Sequence, residues 1–167
     1  MTIVPDIIRG NEEYARQFST GHLTMPPSRK VVILTCMDAR IEPLRALGLK
    51  EGEAHILRNA GGRVSDAIRS IALSQEFQGT REIVLLHHKN CGLLGTSNER
   101  IRERLGNALG ADAAQAAEQI DFEPHIEVVE KLKSEIALLK QSPLIHPETP
   151  ISGFVFDETT GRIEQIV

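Results

Sequence analysis

The run Val31-Val32-Ile33-Leu34-Thr35 is rich in β-branched residues and too short for a helix, so it reads as a buried strand, with Cys36 at its C-terminal end. Ala54 to Leu57 reads as a second short strand, and Glu82 to Leu86 as a third, followed by His88 to Cys91. Gly153 to Phe156 reads as a fourth, and Thr160-Gly161 as a turn into Ile163 to Val167. Helical patterns fill the intervals, so the chain alternates strand and helix. That alternation predicts an α/β fold: a single domain over residues 1–167, with a mostly parallel central sheet flanked by helices.

The helical segments are marked by spacing. Residues 4–18 carry Ile7, Ile8, Tyr14 and Phe18 among charges, an amphipathic pattern. Pro26 and Pro27 force an extended approach to the first strand. Pro43 suits the first turn of a short helix ending near Gly48. Ser65 is placed to cap a helix through Phe77, with Ile68, Ile71, Ala72 and Gln75 at helical spacing and Gly79 as its stop. Asn98 to Leu105 reads as a helix followed by an Ala-rich stretch. Phe122 to Lys140 reads as another, with Ile126, Val129, Leu132, Ile136 and Leu139 on one face.

Ligands of open α/β sheets bind beyond the carboxyl ends of the strands. Both cysteines and His88 fall at such ends, so residues distant in sequence can meet in one crevice. Cys36 alone reads equally well as a core filler. His88-Lys89-Asn90-Cys91 changes the balance, because an imidazole and a thiolate three residues apart on a turn can face one metal. Two thiolates and one imidazole suit zinc and leave a fourth position open. Asp38, two residues beyond Cys36, can reach the metal or its water, and Arg40 can hold that carboxylate by paired hydrogen bonds.

The composition narrows the function classes. A net charge of −4, from 19 basic and 23 acidic residues, argues against a dedicated nucleic-acid binder. Aromatic residues are 4% of the chain, with no Trp, so stacking platforms are scarce. No run approaches the roughly 18 to 20 apolar residues of a membrane span, and the N-terminus lacks an apolar signal core. The expectation is a cytoplasmic protein with neither nucleic acid nor membrane as partner. Two cysteines do not make a disulfide scaffold.

Taken together, Cys36-x-Asp38-x-Arg40, the Arg58-Asn59-Ala60-Gly61 loop and His88-x-x-Cys91-Gly92 resemble the β-class carbonic anhydrases in order and separation. The resemblance is strongest from Val31 to Gly95. The compact length and Leu86-His87-His88 are similar to the short subgroup of that family, which includes carbonyl sulfide hydrolases. The resemblance implies zinc on Cys36, His88 and Cys91, one ion per chain, and Asp38 with Arg40 as a catalytic dyad. It also implies a homodimer or higher homo-oligomer, with residues 1–25 forming a helical arm on the partner. The residues of the second bicarbonate site found in some members, a Trp, an Arg and a Tyr, have no full counterpart here, since the chain lacks Trp and has only Tyr14.

The expected chemistry is attack by hydroxide, generated at zinc, on a small linear electrophile. Carbon dioxide giving bicarbonate ranks first. Carbonyl sulfide, giving hydrogen sulfide and carbon dioxide, is the alternative at the same site. A zinc-stabilised binding module, with Asp38 as permanent fourth ligand, is the non-enzymatic alternative. Met37, Ala60, Gly61, Gly62 and Val64 are candidates for the substrate wall. His87 should point away from His88 and serve structure. His55 reads as packed or interfacial, and His22, His125 and His146 as solvated.

Overall fold

The computed structural model describes residues 2–167. The elements run α1 (Val4–Gln17), β1 (Val31–Cys36), α2 (Pro43–Ala46), β2 (Ala54–Asn59), α3 (Val64–Gln78), β3 (Glu82–His88), α4 (Asn98–Leu109), α5 (Ala111–Glu118), α6 (Val128–Gln141), β4 (Ile151–Phe156) and β5 (Ile163–Gln165). They form a five-stranded sheet in the order β2-β1-β3-β4-β5. The first four strands are parallel, and β5 is antiparallel to β4. This is the α/β, mostly parallel architecture that the strand–helix alternation predicts.

Strand alternation sorts the core onto two faces. Val32, Leu34, Ile83, Leu85 and Val155 meet Val64, Ala67 and Ile71 of α3 and Leu132, Ile136 and Leu139 of α6. Helix α6 lies so close to β4 that a Cβ on Gly153 would stand 2.6 Å from Ile136 Cδ1, so a side chain there would have to displace the Ile136 methyl. On the second face a smaller cluster joins Cys36, Ile41, Leu86, Cys91 and Phe156. Further along that face a groove of about 560 Å³ remains open, lined by Val31, Ile33, Leu47, Leu49, Val84 and Phe154 among others. Helix α1 buries none of its residues, and Ile7, Ile8, Tyr14 and Phe18 are all more than half exposed.

Three local readings are corrected. The helix expected from Phe122 begins only at Val128. Glu123 has a φ of 51°, and Pro124 brings no N–H to a helix. The segment is pinned instead by hydrogen bonds joining His125 N to Leu93 O and Gly95 N to His125 O. Ile126, expected in the core, is therefore 86% exposed. Ser65 is not a cap, because α3 starts at Val64 with Arg63 as the flanking residue. The Glu135 carboxylate accepts the Val64 N–H at 2.8 Å and takes over the capping role. The third strand also runs on through His88, which carries the imidazole into the sheet rather than the loop.

Candidate active site

Parallel pairing brings the site together. Cys36 ends β1 opposite Asn59 of β2, and His88 ends β3 opposite Phe156 of β4. The loop after β3 then returns Cys91 beneath them. The Sγ atoms of Cys36 and Cys91 and a ring nitrogen of His88 all lie within 4.8 Å of one another, and all three residues are buried. Donors on a tetrahedral zinc, with bonds of about 2.0–2.3 Å, sit roughly 3.5–4 Å apart. The residues fit such an ion on a second count. His88 Nε2 is buried with no hydrogen-bond partner, whereas Nδ1 meets the Glu158 carboxylate at 2.8 Å. A buried orphan lone pair is costly unless something is there to take it.

The electrostatics favour a thiolate at Cys36. The Cys91 thiol beside Cys36 pushes the Cys36 thiol down to about 3, against the opposing effect of burial, with help from His88 and the backbone N–H groups of Asp38 and Gly61. Cys91 moves the other way: its hydrogen bond to Cys36 and its burial hold its proton on. Burial presses His88 downward, but Cys36 and Glu158 outweigh it and raise its basicity.

Asp38 and Arg40 lie at the edge of this cluster. Hydrogen bonds from the Arg40 side chain and backbone hold the Asp38 carboxyl well below the usual carboxylate range. The chain from Cys36 to Asp38 is clamped by Arg58, which donates from Nε to Cys36 O at 3.1 Å and from Nη2 to Asp38 O at 2.7 Å.

The loop after β2 supports Cys36 from the other side. Gly61 N donates to Cys36 Sγ at 3.4 Å. Gly61 and Gly62 have φ of +78° and +67°, a conformation L side chains rarely adopt. A Cβ on Gly61 would also stand 2.8 Å from Arg63 Nε and 2.9 Å from Leu93 Cδ1. Asn59 closes the loop, accepting Arg63 N at 2.6 Å and donating to Arg63 O at 2.8 Å. Of the wall candidates, Met37 and Ala60 are exposed and Gly61 and Gly62 are buried. Val64 turns into the helix-side core with Ala67 and Ile71.

The remaining histidines divide. His87 is buried on the opposite side of β3 from His88, its Nε2 3.3 Å from Gly62 O. His55 meets Ser74 Oγ at 2.8 Å, and His22 and His146 are exposed. His125 corrects the expectation of a solvated ring: it is half-buried, with Nδ1 2.9 Å from Arg63 Nη2. Sequence reasoning also missed Glu158 and the buried pair of Arg63 and Glu135. Glu158 could have been found from strand order, since an acid just beyond β4 must lie beside the end of β3.

Comparison with known proteins gives the family. Residues 31–163 match the carbonic anhydrase family. The chain is 39% identical to "Beta-carbonic anhydrase 1" of Mycobacterium tuberculosis across 99% of each protein. It is 43% identical to a carbonic anhydrase structure from Streptococcus mutans, covering 100% of this chain and 99% of that one with a TM-score of 0.93. It is also 33% identical to the "Carbon disulfide hydrolase" of an Acidianus species, over 92% of this chain and 84% of that one. The chain belongs to the β-class carbonic anhydrase family, and it is an enzyme of the carbonic anhydrase type. The reading as a binding module without catalysis falls away.

Proposed function

We propose that the protein catalyses the reversible hydration of carbon dioxide to bicarbonate, with one zinc per chain held by Cys36, His88 and Cys91. The observation that carries this reading is the Asp38–Arg40 pair beside a buried cluster of two cysteines and one histidine. Zinc, when bound, supplies the Lewis acidity that makes water a nucleophile near neutral pH. Two thiolates soften that acidity, so the chain must contribute more than ligands. Asp38 is kept ionised by Arg40 and can only accept, so it accepts a hydrogen bond from the attacking water and turns an oxygen lone pair toward the substrate carbon. Arg40 fixes the direction of that carboxylate. Water adds across one C=O bond, and one proton leaves to solvent. Released from Arg40, Asp38 lies close enough in sequence to Cys36 to become a fourth donor in a closed state.

The assembly we propose is a homodimer or a larger homo-oligomer. The apolar residues of α1 and the groove along Val31, Ile33, Val84 and Phe154 are both uncovered in the single chain. Residues 1–25 act as an arm that covers the partner's groove. Two free, buried cysteines suit a reducing compartment and support placement in the cytoplasm.

The carbon disulfide hydrolase relatives favour a second reading, in which a linear sulfur-containing molecule, carbon disulfide or carbonyl sulfide, enters the same site. Discrimination then lies in the wall formed by Met37, Ala60 and the Gly61–Gly62 loop. One atom of size in an apolar pocket is worth about 10- to 200-fold. The test is kcat/KM for carbon dioxide, carbonyl sulfide and carbon disulfide with one zinc-replete preparation. Carbon dioxide is expected to lead. Strong turnover of a sulfur compound with background hydration of carbon dioxide would reverse the ranking.

A further inference from the structure

Glu158 lies just past the end of β4, and its side chain is 2% exposed. A buried carboxylate is costly unless its oxygens are filled. Its Oε1 accepts from His88 Nδ1 and from Asn90 N, each at 2.8 Å, and Oε2 lies 3.4 Å from Asn90 Nδ2. Oε1 also stands 3.5 Å from Arg40 Nη2, an ion pair rather than a close hydrogen bond. That same Nη2 donates to Asp38 Oδ2 at 2.6 Å and to Asn90 O at 3.1 Å.

An ionised carboxylate has only lone pairs to offer. The His88 nitrogen facing it must therefore carry the hydrogen, and Nε2 is left with a lone pair on the side of Cys36 and Cys91. The guanidinium that orients Asp38 sits on the same carboxylate and on the loop residue that the carboxylate holds. One side chain thus touches both the imidazole of the cluster and the arginine of the dyad.

We propose that Glu158 is a positioning residue: it fixes the His88 tautomer that presents Nε2 to the metal and seats Arg40 behind Asp38. The inference rests on the reading of Cys36, His88 and Cys91 as metal ligands. Glu158→Gln preserves shape but loses the charge, and its amide can turn an N–H toward His88, which favours the opposite tautomer. Glu158→Asp keeps the charge on a side chain one methylene shorter.

The experiment compares wild type, Glu158→Gln and Glu158→Asp in two readouts besides turnover. Long-range ¹⁵N–¹H spectra of the metal-free proteins, at a pH where His88 is neutral, report its tautomer. Competition with a chromophoric chelator reports zinc affinity. Wild type should show the hydrogen on Nδ1. Glu158→Gln should lose that preference and bind zinc about 10- to 100-fold more weakly, with a thermal transition of the metal-free protein close to wild type. Glu158→Asp should fall between them, and it carries the test if the Gln variant does not fold. An unchanged tautomer with zinc affinity within twofold of wild type in the folded variants would overturn the proposal while leaving the metal site standing. A wild-type protein that takes up no zinc would instead overturn the reading of the ligands, and this inference with it.

Discussion

Arg40 grips Asp38 through three hydrogen bonds: backbone N to Oδ1 at 2.9 Å, Nε to Oδ1 at 2.9 Å and Nη2 to Oδ2 at 2.6 Å. Two residues apart in sequence, they form a closed ring in which both carboxylate oxygens are engaged. An exposed ion pair contributes little to stability, so the meaning of this one lies in direction. The carboxylate is held ionised and aimed.

Arg40→Ala should therefore cost turnover rather than folding. A lowering of kcat by about 100-fold or more is expected, the scale of removing one well-placed polar group from a reacting centre. Zinc content should be unchanged, since neither residue is among the three proposed ligands. Stopped-flow assays beside elemental analysis check both. Loss of zinc in step with loss of activity would mean that Arg40 supports the cluster and not the chemistry.

Behind the Gly61–Gly62 loop, Arg63 is 2% exposed and Glu135 fully buried, with Arg63 Nη1 3.5 Å from Glu135 Oε1. Lys131 reaches the same oxygen at 2.9 Å. Removing one partner of a buried pair strands the other charge, so Glu135→Ala should destabilise the protein by about 3–5 kcal/mol. It also deprives Val64 N of its acceptor. Lys131→Ala, whose side chain is 18% exposed, should cost clearly less. Chemical denaturation of both variants decides, and equal costs would show that the pairing is not what matters.

Burial, reinforced by the nearby Arg63 charge, pushes His125 down to about 4 from 6.5. An unfolded chain then binds more protons than the folded one between those values, so stability rises with pH across that window. The contribution is complete above about 6.5 and fades as pH falls toward 4. For a half-buried ring its size is about 1–2 kcal/mol after solvent screening. Gln in place of His125 can still accept from Arg63 but does not titrate. The melting temperature of His125→Gln should therefore fall less steeply than wild type between pH 6.5 and 4. Parallel slopes would assign the acid sensitivity elsewhere.

Helix α1 leaves its apolar residues uncovered in the single chain. Deleting residues 1–18 should weaken self-association in sedimentation experiments, and turnover should fall with it. A truncated monomer with full activity at assay concentration would rule out the proposed arm.

The strands were legible because a parallel sheet buried on both faces needs short runs of β-branched and aliphatic residues, and Val31 to Thr35 is such a run. The three clustered side chains were legible because each ends or follows a strand. Ile126 misled because its spacing continues the stripe of α6, while Glu123 and Pro124 end the helical pattern just before it. Arg63, Glu135 and Glu158 look like surface charges in a linear reading. Their burial is set by which strands and helices become neighbours, and local periodicity carries no record of that.

Three buried side chains, Cys36, His88 and Cys91, are proposed to hold the metal on which turnover depends. Metal-free protein titrated with zinc, while carbon dioxide hydration is followed, tests it most directly. Activity should climb linearly and break at one zinc per chain, and Cys91→Ala should show no such climb. Turnover indifferent to zinc, or a Cys91→Ala protein that matches wild type along the whole titration, would contradict the account.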